Sequence, residues 1–137
     1  MSSELSSASA GKRAEDTALL INEVFAQGLD SEAGSTALAR INYLHSRYGK
    51  LITQDDLLYN VALHILEPVS FINTYEWRQL TPLEIHARYV YWREVGARMG
   101  VKDIPHTLEE LKQWSSDYAE RAVAYAPENT AMAEDGL

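Results

Sequence analysis

Ala39-Arg40-Ile41-Asn42-Tyr43-Leu44-His45-Ser46-Arg47-Tyr48 sets a single histidine on the apolar stripe of a helix, between two arginines. Steps of three and four residues bring Leu38, Ile41, His45 and Tyr48 to one face. Arg40, Asn42, Ser46 and Arg47 fall mostly on the others. An imidazole on an apolar helix face beside cationic side chains suits the axial position of a buried, anionic cofactor such as haem. The commoner role of such a residue is a core histidine satisfied by a local hydrogen bond. Periodicity alone leaves both open and favours the second.

Working outward, the spacing predicts five helical segments. The first runs from Lys12 to about Gln27, with Leu20, Ile21, Val24 and Phe25 on one side, and stops at Gly28. The second runs from Ser35 to Tyr48, with Gly49 as its C-cap. Thr53-Gln-Asp-Asp56 opens the third with a box-like start, and Pro68 should end or kink it. Thr81-Pro82-Leu83-Glu84 joins a threonine cap, a proline at the first helical position and a glutamate at the third, opening a helix that reaches about Met99. Thr107-Leu-Glu-Glu110 opens the last, which ends before Pro127. No stretch alternates with β-branched enrichment, so the class is all-α: a compact bundle of about five helices.

The chain has 137 residues, enough for one domain with its own core. Hydrophobic residues at 46% and charged residues at 23% make that domain globular. Residues 1–11 are Ser- and Ala-rich and read as a disordered segment, 12–126 as the helical domain, and 127–137 as a disordered acidic tail. A net charge of −8 argues against a nucleic-acid partner, which needs a clustered basic surface. Cysteine is absent, which excludes disulfides, thiolate metal sites and cysteine nucleophiles. No apolar run approaches the roughly 18 residues needed to span a bilayer, and the amino end lacks a signal-peptide pattern. A cytoplasmic protein is the expectation for the chain as written.

The other candidate groups have plainer readings. His45, His64, His86 and His106 form no His-x-x-x-His pair, so a zinc protease site is unsupported. His64-Ile-Leu-Glu67 sets a histidine and a carboxylate one turn apart, as any helix surface can. A di-iron bundle needs paired Glu-x-x-His helices, which are lacking. His86, near Leu83 and Val90, fits a packed helix face. Asp55 and Asp56, in the first turn of a helix, suit its macrodipole. Tyr75-Glu76-Trp77-Arg78 reads as a loop anchored over the core, and Tyr89, Tyr91 and Trp92 as helix-packing surface. Arg13-Ala-Glu-Asp16-Thr17 presents Arg13, Asp16 and Thr17 on adjoining faces, either as a solvated first turn or as a polar trio that stabilises a bound anion or oxygen species.

Taken in order, these segments resemble the helical oxygenase family that includes the bacterial latex-clearing protein (rubber oxygenase) and the fungal MpaB-type oxygenases. Ala-Arg40-Ile-Asn-Tyr-Leu-His45-Ser-Arg47-Tyr looks like the family's Arg-x-x-x-x-His motif. Ile52-Thr-Gln-Asp55-Asp56-Leu-Leu-Tyr59, Trp77-Arg78-Gln-Leu80-Thr81-Pro-Leu-Glu84 and Tyr91-Trp92-Arg93-Glu-Val-Gly96-Ala-Arg-Met-Gly100 follow in the family's succession, and the likeness spans about residues 13–126.

The resemblance implies haem b as cofactor, with His45 as its axial ligand. Arg13, Asp16 and Thr17 match the distal Arg-x-x-Lys-Thr motif, except that Asp16 replaces the lysine and reverses the local charge. Arg40 is the candidate partner of a haem propionate, on charge and proximity. The implied reaction is oxidative cleavage or hydroxylation of a hydrophobic, isoprenoid or lipid-like substrate with dioxygen, of the kind found in fungal secondary metabolism. Family catalytic domains are longer, with further helices before the matched region; a chain without them keeps one wall of the pocket, and a homo-oligomer could close it. An upstream anchor, as fungal members carry, implies endoplasmic-reticulum association. The opposing expectation is a shortened, haem-free helical remnant that serves as an interaction module.

Overall fold

A computed structural model describes residues 7–124 and Thr130, with the side chains of residues 7–10 and Arg13 outside that description. Five α-helices and a short 3-10 turn account for the ordered elements among the described residues, and no strand occurs among them. They are α1 (Ser7–Gln27), α2 (Glu32–Ser46), the 3-10 turn Gly49–Leu51, α3 (Gln54–Tyr75), α4 (Pro82–Arg98) and α5 (Leu108–Ala122). The all-α expectation holds. The described residues divide into two units, one reaching to residue 44 and including residue 124, the other residues 45–123. The tail expected over 127–137 lies, Thr130 apart, outside the described residues.

In the first unit, α1 starts at Ser7, earlier than the Lys12 expected. It carries Val24 into the core at 3% exposure, but Phe25 is turned out at 54%, against the expectation that it lies on the buried side. Gly28 ends the helix with φ +83, a left-handed turn that residues with a Cβ adopt at a cost. The next helix also starts earlier than expected. Ser31 Oγ donates to the Gly28 carbonyl at 2.9 Å and accepts from the Gly34 N–H at 2.9 Å, so Ser31 caps α2 one turn before Ser35. Position 34 must be glycine, because a Cβ there would sit 2.1 Å from the Gly28 carbonyl oxygen. Gly34, Ala37 and Leu38 are the buried residues of α2.

The second unit is built on α3, which packs against both α4 and α5. Ile65 of α3 and Leu111 of α5 are fully buried, each adding about 1.5–3 kcal/mol of apolar stabilisation. Leu58, Val61 and Ala62 from α3 and Tyr89, Trp92 and Val95 from α4 complete the core, with Val101 and Ile104 plugging it from the connecting segment. Tyr89 and Trp92 thus pack as expected. Each helix of this unit begins as the sequence predicts. Thr53, Thr81 and Thr107 close capping boxes with Asp56, Glu84 and Glu110, with both reciprocal bonds formed.

Pro68 does not end α3, which continues seven residues beyond it to Tyr75. The proline removes the N–H that would bond to the His64 carbonyl. Arg88 of α4 supplies the replacement, donating from Nε to that carbonyl at 2.8 Å. Two further expectations need correction. Trp77 is 88% and Tyr75 74% exposed, so this segment is not anchored by its aromatics; Arg78 holds it instead, with 2.9 and 2.7 Å bonds to the two Glu84 carboxylate oxygens. The face bearing His86 is open rather than packed, with Leu83 76% and Val90 51% exposed.

Candidate functional site

His45 lies in the last turn of α2, where its carbonyl accepts from the Tyr48 N–H at 3.0 Å as the chain leaves the helix. Leu38 on its face is buried, Ile41 and His45 are half-buried, and Tyr48 is 46% exposed, so the stripe opens toward its carboxyl end. Nδ1 of His45 is buried without a hydrogen-bond partner. A helix carboxyl end favours a protonated imidazole. Burial outweighs it here and holds the His45 pKa below its ordinary value of 6.5. The ring is therefore neutral at pH 7 and retains a nitrogen lone pair, the form that binds a metal.

The other predicted residues belong to the first unit. Asp16 and Thr17 are exposed on α1, and the Arg13 side chain is outside the described residues. Asp16 is paired with Lys12 one turn earlier at 2.5 Å. Lys12 thus restores a positive partner beside the position where the sequence reverses the charge, although a pair this exposed adds little stability. Arg40 sets its guanidinium 5.3 Å over the Tyr43 ring and lines, with Leu20, Glu23 and Thr36, a cavity of about 670 Å³ between α1 and α2. In the second unit a cavity of about 500 Å³ lies among α3, α4 and α5, with Tyr59, Leu63, Ile85 and Ser115 in its wall. His45 lines neither of these cavities.

Among the described residues, no group of three or more His, Asp or Glu side chains is placed to hold a metal ion. Haem makes a smaller demand, since the macrocycle supplies four ligands and the protein one neutral nitrogen. A partly buried imidazole with an unpartnered nitrogen has the donor chemistry that this asks for. His64, by contrast, is already engaged: its Nδ1 donates to the Asn60 carbonyl at 2.8 Å and its ring lies tilted against Trp92, centroids 4.3 Å apart.

A profile of the family described as "ER-bound oxygenase mpaB/B'/Rubber oxygenase, catalytic domain" matches residues 2–135. The chain belongs to this family. It is 36% identical to the ER-bound oxygenase mpaB of Penicillium brevicompactum over 90% of this chain and 35% of that protein. It is also 36% identical to mpaB' of the same fungus, over 90% of this chain and 32% of that protein. With mpaB of Penicillium roqueforti (strain FM164) it shares 34%, over 90% of this chain and 46% of that protein. The chain thus spans from about a third to just under half the length of these relatives. No solved structure matches it. The relatives are named as ER-bound, and no helix among the described residues of this family member is long and apolar enough to cross a membrane.

Two arrangements in this mpaB/rubber oxygenase-family chain escaped the sequence reading. One is the Arg88 bond to His64, which Pro68 signals in principle: a proline inside a helix implies a donor from elsewhere for the carbonyl four residues back. The other is Asp56, read as a macrodipole residue. Besides capping α3, it accepts a 2.5 Å hydrogen bond from the Tyr118 hydroxyl, 62 residues away. No local pattern announces that pairing.

Proposed function

We propose that this chain forms the haem-binding part of an oxygenase that acts on a hydrophobic, isoprenoid or lipid-like small molecule, with haem b held by His45. The observation that carries the reading is the neutral, half-buried His45 imidazole with its unpartnered Nδ1. Family membership supports the oxygenase class. The names of the fungal relatives support association with the endoplasmic reticulum.

Haem, when bound, supplies dioxygen activation. The protein's part is to hold it and shape its surroundings. His45 would give the nitrogen ligand, and its burial disfavours the protonated imidazolium that could not bind iron. Arg40 offers a guanidinium suited to bidentate pairing with a propionate. Arg13 and Thr17, which match the family's distal motif, would supply hydrogen-bond donors able to stabilise negative charge developing on oxygen. The Lys12–Asp16 pair leaves that turn without the net negative charge an isolated Asp16 would give.

The test is a haem titration of the purified chain followed by visible absorption. A Soret band that saturates at one haem per chain and is lost in His45→Ala is expected. A chain that takes up no haem, or a band of equal intensity and position in His45→Ala, overturns the proposal and leaves a haem-free helical module.

A further inference from the structure

Tyr118 sits in a setting that its structural role in joining α5 to α3 does not exhaust. Its ring is 9% exposed and lies between two other aromatics, stacked on Trp114 at 5.3 Å and 14° and tilted against Tyr59 at 4.9 Å. Its hydroxyl donates to Asp56 Oδ1 at 2.5 Å. That carboxylate is kept ionised by the Tyr118 bond and by the Thr53 backbone and hydroxyl donors. Arg121, paired with Asp55 at 2.9 Å, holds its guanidinium 5.2 Å over the Tyr118 ring.

We propose that Tyr118 is a proton-coupled electron donor, with Asp56 as its proton acceptor and Tyr59 and Trp114 as neighbouring relay sites. Faced with a strong one-electron oxidant, such as a radical or a high-potential metal complex, Tyr118 gives up one electron and the oxidant is reduced by one. The phenol O–H bond breaks as an O–H bond forms on Asp56 Oδ1, leaving a neutral phenoxyl radical beside a protonated carboxyl. The return of an electron to Tyr118 sends the proton back.

Three features favour this chemistry at Tyr118 over the other tyrosines. Water is a poor base at neutral pH, so a tyrosine that must release its proton to water is oxidised slowly; a carboxylate already hydrogen-bonded removes that barrier. The guanidinium over the ring disfavours a positively charged radical and so ties electron loss to proton loss. Close aromatic contacts on both sides give the electron short steps. Tyr59 lines the cavity of about 500 Å³ and Trp114 is only half-buried, so the route joins the cavity wall to the outer side of α5.

The use we assign to it, drawing off oxidising equivalents that stray from oxygen chemistry, rests on the oxygenase reading. The redox chemistry of Tyr118 does not, and an external oxidant tests it with no haem present.

The experiment is flash-quench oxidation of the 137-residue chain by photogenerated tris(bipyridine)ruthenium(III), followed by transient absorption and electron paramagnetic resonance. A fast phase of neutral tyrosyl radical, slowed in heavy water, is expected above a slow phase from the exposed tyrosines. Asp56→Asn slows the fast phase about a hundredfold, the lower end of what a positioned base contributes. Tyr118→Phe, which keeps the ring contacts, removes the fast phase and leaves the slow one; it serves alone if the Asp56 variant does not fold. A fast phase unchanged in folded Tyr118→Phe, or absent from the unmodified chain, overturns the proposal.

Discussion

Arg88 Nε and the His64 carbonyl oxygen are 2.8 Å apart, and this bond fills the acceptor that Pro68 strips of its helical donor. A proline that should break a helix is thereby turned into a fastening between α3 and α4. The arginine is half-buried, and its desolvation appears as a pKa drawn below the ordinary guanidinium value. Arg88→Met should cost about 1–3 kcal/mol in chemical denaturation, the penalty of leaving a part-buried acceptor unpaired. The cost should shrink when Pro68→Ala returns the helical N–H. Additive losses in that double-mutant cycle would show that the two residues act independently.

Gly96 is the point of closest approach between α4 and the core beneath it. A Cβ there would meet Val61 Cγ2 at 3.0 Å and Ile104 Cδ1 at 3.1 Å. Gly96→Ala is expected to destabilise the fold by about 1–3 kcal/mol through overpacking, despite the better helix propensity of alanine. Equilibrium urea unfolding measures it, and a neutral or stabilising result would mean that Val61 and Ile104 move aside freely.

Acid should weaken the α4 start in a defined window. Arg78, then the Thr81 backbone and hydroxyl, hold the Glu84 pKa at about 2, below its ordinary 4.5. A depressed carboxylate contributes its stability in full above the unfolded value and loses it as pH falls toward the folded one. Glu84→Gln should therefore melt at a lower temperature than the unmodified protein at pH 7, with the difference narrowing as pH falls from 4.5 to about 2. A difference that stays constant across that range contradicts the assignment.

His45 predicts a second slope at higher pH. Its folded pKa lies below the unfolded 6.5, so the folded form resists the proton that the unfolded form accepts. Its share of stability is complete above 6.5 and declines as pH falls below it. Thermal melts of the haem-free protein at stepped pH should show this decline, and His45→Gln should remove it. A slope unaffected by His45→Gln assigns the effect to another group.

The elements legible from sequence were those whose chemistry is local. Thr53, Thr81 and Thr107 each carry an acidic residue three positions on, and all three boxes form, because capping is decided within one turn. Errors arose where distant residues decide. The passage of α3 through Pro68 depends on Arg88, a residue of the following helix. The early start of α2 is as local as the three boxes, but Ser31 caps Gly34 without the acidic partner that makes such starts conspicuous. At the candidate site, the helical stripe placed His45 on a face that is half-buried, but the absence of a partner for Nδ1 is a property of the packed chain. Asp56 looked complete as a helix cap, and only the folded arrangement adds Tyr118.

The proposed bond between His45 and haem is the most direct quantity to measure. Resonance Raman spectra of the ferrous, haem-loaded chain should show an iron–histidine stretch that shifts on labelling histidine with heavy nitrogen. The stretch should vanish in His45→Gly and return when free imidazole is added to that variant. An iron–histidine stretch that persists in His45→Gly without imidazole would contradict His45 as the ligand.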